Sequence, residues 1–303
     1  MSTNWEAQYQ ANDTPWDKGE PSPGLVDWLD DGSMLIRTRF GETAQIHRVK
    51  APGADRTQLT FFSEPVGETV AMPGPGSRYL YARDVGGAEY YQAWIRDLNG
   101  RETLVTAPKT RNESFVVSHD GRVLAWAQVN PGDPNYDVMV ADPANPAARR
   151  LVHDGKGAIS PLDISPDGKS LLLGRYNSAQ SSERFLLDVA TGKLTPLHPT
   201  AAPVAYDGGE FTPDGRAVIL LSDENSEVQR PVRLDLATGA LTELTPGARW
   251  PAEALDLSPD GRTLAYAINE EGASRVFLLD LKDRKSTRLN SSHIPLSRMP
   301  SSA

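Results

Sequence analysis

Catalysis needs an acid, a base or a nucleophile brought together, and this chain offers few candidates. His47, His119, His153 and His198 lie far apart in sequence, whereas paired metal ligands recur a few residues apart. They read as ordinary strand or turn histidines. Glu270-Glu271 is a carboxylate pair able to hold an amine, and reads more simply as a solvated loop. Aspartates recur at Asp31, Asp120, Asp167, Asp214 and Asp260. Calcium needs six or more oxygens gathered at one point, and carboxylates a whole repeat apart point elsewhere. There is no cysteine to serve as a thiolate ligand. No catalytic, cofactor-binding or metal-binding residue is therefore assigned, and no cofactor is expected.

The elements around these residues repeat. Gly32, Gly76, Gly121, Gly168, Gly215 and Gly261 mark equivalent turns, spaced by 44, 45, 47, 47 and 46 residues. In five of them the glycine follows an aspartate. Asp-Gly between apolar runs is a strong hairpin signal, because glycine accepts positive φ and aspartate caps the bend. An apolar run follows each turn, as in Leu171-Leu172-Leu173 or Val218-Ile219-Leu220-Leu221. A second run ends in an acidic turn, as in Asp188-Val189-Ala190-Thr191-Gly192, and a short third stretch closes the unit, as in Leu194-Thr195-Pro196-Leu197. A period in the forties with several short strands per unit predicts a β-propeller. The expected fold is all-β, with six recognisable blades of four-stranded antiparallel sheet, near residues 27–70, 71–113, 114–159, 160–205, 206–251 and 252–282. The sixth blade shows strands near 252–257, 263–269 and 274–281 and is expected to lack its fourth.

Composition narrows the partners. A net charge of −9 without a basic stripe argues against nucleic acid and against an anionic membrane surface. No apolar run reaches the length of a membrane span, and no signal peptide is visible at the N-terminus. The chain as it stands is expected in the cytoplasm. Asn112-Glu113-Ser114 is a glycosylation sequon, relevant only in a secretory compartment.

The pattern Ser-Pro-Asp-Gly-Lys/Arg-x-Leu, followed by Leu-Asp-Leu-x-Thr-Gly, resembles the propeller of the prolyl oligopeptidase family of serine peptidases, and also the Tol-type propellers. Residues 38–49 (Thr38-Arg39-Phe40-Gly41 onward), Gln58-Leu59-Thr60-Phe61-Phe62 and Asn269-Glu270-Glu271-Gly272 favour the dipeptidyl and acylaminoacyl peptidase-like branch. The resemblance covers roughly residues 27–282. It implies a non-catalytic propeller that caps an α/β-hydrolase domain and limits access to short peptides. The family's triad serine sits on a Gly-x-Ser-x-Gly elbow, and this sequence contains none. The implied partners are a peptide substrate and that hydrolase domain. The implied compartment of the intact protein is cytoplasmic, periplasmic or secreted. A Tol-type, protein-binding propeller is the alternative.

Two segments read differently. Trp5, Tyr9, residues 14–23 (Thr14-Pro15-Trp16-Asp17 onward) and Leu25 resemble the opening of a thiopurine methyltransferase-like enzyme, without its glycine-rich cofactor loop. Residues 1–26 are accordingly read as a separate N-terminal stub or arm. Residues 283–303, from Asp283-Arg284-Lys285-Ser286 to Met299-Pro300-Ser301-Ser302-Ala303, resemble a translated sequencing adapter, and their polar composition predicts a disordered tail. Since family propellers have seven or eight blades, the expectation is an open, truncated arc of six.

Overall fold

The computed structural model describes residues 24–39, 42–51, 54–84 and 86–288. These form six four-stranded antiparallel sheets and no helix. Blade one comprises β1 (Gly24–Trp28), β2 (Met34–Arg39), β3 (Ala44–Val49) and β4 (Arg56–Gln58). Blade two comprises β5 (Val66–Ala71), β6 (Tyr79–Arg83), β7 (Gln92–Arg96) and β8 (Glu102–Leu104). Blade three comprises β9 (Arg111–Val117), β10 (Leu124–Val129), β11 (Tyr136–Asp142) and β12 (Asn145–His153). Blade four comprises β13 (Ala158–Ile164), β14 (Ser170–Ser178), β15 (Ser181–Asp188) and β16 (Leu194–Leu197). Blade five comprises β17 (Tyr206–Phe211), β18 (Ala217–Ser222), β19 (Arg230–Asp235) and β20 (Leu241–Glu243). Blade six comprises β21 (Ala252–Leu257), β22 (Thr263–Glu270), β23 (Ala273–Asp280) and β24 (Lys285–Arg288). The first strands β1, β5, β9, β13, β17 and β21 neighbour one another in that order, so they are the inner strands of a six-bladed propeller.

The last blade corrects the sequence reading, because its fourth strand is present. Residues assigned to a disordered tail pair with β23 in the register Phe277↔Arg288 to Asp280↔Lys285. An outermost strand needs only the free backbone edge of its neighbour, and all four β24 side chains are exposed. The Tyr266 hydroxyl meets Ser286 Oγ at 3.0 Å. The methyltransferase-like opening up to Pro23, and the tail beyond Arg288, lie outside the described residues.

Side chains alternate between the two faces of each sheet, and both faces of the middle blades are buried. On β10, Leu124 and Trp126 pack toward blade two while Ala125 packs toward blade four. On β18, Val218 and Leu220 face blade four and Ile219 faces blade six. Five apolar clusters result, each bridging two consecutive blades. A closed ring of six would need six such clusters. Among the described residues none joins blade six to blade one, and β21 makes no extensive contact with β1. Ala265, Val276 and Leu278, on the far face of blade six, are only half-buried.

The repeated turns lock neighbouring blades together. Asp120, Asp167, Asp214 and Asp260 each accept a hydroxyl bond of 2.6–2.7 Å from Ser118, Ser165, Thr212 or Ser258 and a backbone N–H two residues on. These hydroxyl bonds, more than any other cause, hold the four carboxyls below their usual range. The proline of one turn also packs on the glycine of the next. Gly261 has φ +67, and a Cβ there would sit 2.7 Å from Pro213 Cδ. Gly261→Ala combines left-handed strain with this contact and is expected to cost about 1–3 kcal/mol in urea unfolding.

Candidate functional site

Every inner strand bulges against its neighbour, with register shifts in all six pairs. A bulge re-aims one side chain and bends the strand. In three blades the side chain at the bulge is a carboxylate that reaches the next blade. Glu68 accepts the backbone N–H of Ser114 at 2.8 Å and of Phe115 at 2.6 Å. Asp163 accepts Phe211 N–H at 2.7 Å, and Glu210 accepts Leu257 N–H at 2.9 Å. These clasps line the inner strands around the propeller axis. Glu210 also borders a recess of about 230 Å³ with Asp207, Gly208, Gly209 and Glu253. Burial raises all three carboxyls, Glu68 and Glu210 to about 7, while the N–H donors oppose the rise.

The sign of the pH effect follows. A carboxyl whose folded pKa exceeds its unfolded value leaves the folded state holding the extra proton, so stability falls as pH rises from about 4.5 through about 7. His47 and His153, whose pKa values burial lowers, act in the opposite direction below about 6.5. A difference measurement separates the two. The Glu68→Gln/Glu210→Gln protein should gain on the wild type by up to about 3 kcal/mol per site between pH 5 and pH 8. Melting temperatures at matched ionic strength read this directly, and parallel pH profiles would contradict it.

The structure scatters the residues singled out in the sequence. His47 is buried in β3, its Nδ1 3.2 Å from Gln45 O. His153 ends β12, and His119 sits in the turn before Asp120. His198 lies between β16 and β17, its Nδ1 2.8 Å from Gly239 O and its Nε2 2.8 Å from Glu224 Oε2. Glu270 pairs with Arg275 at 3.6 Å in the β22–β23 hairpin, and Glu271 holds its tip with φ +53. Asn112 is 2% exposed and hydrogen-bonded to Trp126, so the folded sequon is closed to glycosylation. Among the described residues, no three His, Asp or Glu side chains gather to hold a metal. No helix among them is long and apolar enough to cross a membrane.

Chain direction sorts the loops onto two faces. First-to-second and third-to-fourth strand turns share one face, which carries the repeated turns at Gly32, Gly76, Gly121, Gly168, Gly215 and Gly261. The opposite face carries the second-to-third strand hairpins and the connections between blades. Here lie exposed Phe61, Tyr90, Tyr91 and Tyr176. Besides a cleft of about 490 Å³ beside Asp223 and Glu224, two more open among these loops. One of about 370 Å³, between blades four and five, is lined by Asn177, Ser181, Arg184, His198 and Thr200 among others. The second, of about 420 Å³ between blades five and six, is lined by Gln229, Trp250, Tyr266 and Phe277 and extends to Arg284 in the β23–β24 turn of the other face. Neither cleft was legible in the sequence, since each is assembled from two blades.

No protein-family model matches the sequence, and no curated protein does. Solved structures do. A prolyl endopeptidase superposes with a TM-score of 0.71 at 15% identity, over 95% of this chain and 47% of that one. An oligogalacturonate lyase from Vibrio parahaemolyticus gives 0.73 at 14%, over 91% of this chain and 80% of that one. TolB from Acinetobacter baumannii gives 0.59 at 17%, over 92% and 66%. The chain thus spans about half the length of the prolyl endopeptidase it matches. At these identities the likeness is one of fold, and the fold is the β-propeller common to these proteins.

Proposed function

We propose that this chain is the substrate-gating propeller of a prolyl oligopeptidase-like serine peptidase, without catalytic residues of its own. The observation that carries the reading is the match of nearly the whole chain to about half of a prolyl endopeptidase. Sequence wording supports it, since the Ser-Pro-Asp-Gly turns and residues 38–49 resemble that family. This sequence holds no Gly-x-Ser-x-Gly elbow, and the reading places the nucleophile on an associated α/β-hydrolase domain. The loop-rich face, with its aromatics and clefts, is the surface proposed to meet the peptide. Residues 1–26 and the adapter-like tail are proposed to be foreign to that peptidase. A free-standing, Tol-type binding propeller is the second reading, favoured by the larger share of TolB that the chain covers.

An antibody raised against this chain, used on extracts of the source cells, separates the two. The proposal expects a captured polypeptide well above 33.0 kDa that a fluorophosphonate probe labels on serine. A captured species of 33 kDa without label would overturn it in favour of a binding module.

A further inference from the structure

Among the described residues two arginines are buried, and they are compensated differently. Arg230 forms an ion pair with Glu243. Arg184, on β15, is 5% exposed, and no carboxylate lies within ion-pair distance among the described residues. Its Nε donates to Gly208 O at 3.2 Å and its Nη1 to Glu183 O at 3.1 Å. Its cross-strand partner is Gly174, where a Cβ would stand 3.2 Å from Nη1, so the glycine makes room for the guanidinium. The guanidinium carbon sits 5.8 Å from the Tyr206 ring centre on blade five. Burial lowers the Arg184 pKa to about 10, partly opposed by exposed Asp207, so the side chain stays cationic at neutral pH.

A buried cation held only by carbonyl groups lacks the counter-charge that usually offsets its desolvation. Arginine has five donors, and among the described residues Nη2 has no hydrogen-bond partner. Arg184 lines the cleft of about 370 Å³ between blades four and five. Of its neighbours at that cleft, Glu183 pairs with Arg175 at 3.3 Å, and His198 Nε2 lies 2.8 Å from Glu224 Oε2. Arg184 is the one guanidinium lining this cleft, and no carboxylate among the described residues forms an ion pair with it. Asn177, Ser181 and Thr200 add polar wall.

We infer that this cleft binds a carboxylate-bearing small ligand, with Arg184 as its charge partner. A monoanion balances the single free charge, and a guanidinium N–H to carboxylate bond is among the stronger hydrogen bonds available. A phosphate dianion would overcompensate beside Asp207 and Glu183. The cleft lies on the face proposed to meet the peptide, so the inference deepens that reading. Every group it uses lies within blades four and five, and binding can be tested on this chain independently of any hydrolase domain.

The test titrates the whole chain with N-acetylalanine, its amide and inorganic phosphate at fixed ionic strength, by calorimetry. The acid should bind at least tenfold more tightly than the amide and displace phosphate. Arg184→Met, which keeps the bulk and removes the charge, should abolish the preference for the acid. Equal binding of acid and amide, no binding of either, tighter binding of phosphate, or an unchanged preference in Arg184→Met would each overturn the inference. Should Arg184→Met fail to fold, the comparison of acid with amide on the wild type decides alone.

Discussion

Replacing Trp126 with alanine is expected to remove about 3–5 kcal/mol of stability. The side chain is fully buried between blades two and three, stacked on Phe115 with ring centres 6.2 Å apart. Its Nε1 donates to Asn112 Oδ1 at 3.1 Å. The Asn112 amide in turn donates to Tyr91 O at 2.9 Å and Thr110 O at 3.0 Å, so the indole anchors a network that spans both blades. The substitution opens a large cavity and strands a buried acceptor. Trp126→Phe keeps most of the packing and should cost only about 1–2 kcal/mol. In a repeat array, stability is carried by nearest-neighbour interfaces. Weakening this one should therefore also broaden the urea transition and lower its slope, as blades one and two separate from the rest. A sharp, parallel transition shifted by less than about 1 kcal/mol would contradict this assignment of the core.

Gly155→Ala is expected to be nearly as damaging, for a different reason. Gly155 lies in the link from β12 to β13, and a Cβ there would fall 1.8 Å from Tyr136 O and 2.7 Å from Ile159 Cγ2. The first obstacle is backbone in the sheet of blade three, which cannot rotate away. Its φ is not in the left-handed region, so space rather than torsional strain sets the cost. Overpacking against backbone should cost about 3 kcal/mol or more. Gly247→Ala is the matched control, with φ +76 and nothing within 4 Å of the added Cβ. It should lose only about 1 kcal/mol. Similar losses for the two variants in thermal melts would show that the close approach at Gly155 relaxes freely.

What the sequence disclosed, and what it did not, follows the same physics. The six blades were legible because every Asp-Gly turn needs positive φ and a capping carboxylate, and few residue types supply either. The second strands were legible because burial on both faces demands apolar runs such as Leu171-Leu172-Leu173. Outer strands leave a fainter signature. β8 and β24 expose every side chain and bury no apolar one, which is why residues 285–288 did not read as a strand. Inner strands were blurred by their bulges, so the sheets of blades two, three and four open at Val66, Arg111 and Ala158, a few residues ahead of the positions read from the sequence. The clasps of Glu68, Asp163 and Glu210 join residues nearly fifty apart, and nothing local marks them. For the same reason Arg184 looked like any strand arginine. Its environment comes from Gly208 and Tyr206 on the next blade, and from the missing side chain at Gly174.

The central claim, that this propeller belongs to a serine peptidase whose chemistry lies on another domain, is tested most directly in the source DNA. One uninterrupted read should start upstream of codon 1 and run well past codon 303. The account predicts that downstream of Lys282 the read passes into further propeller strands, then a Gly-x-Ser-x-Gly elbow followed by an aspartate and a histidine. A read that reproduces the present sequence to Ala303 and meets a stop codon there, with no hydrolase domain in frame, would contradict it.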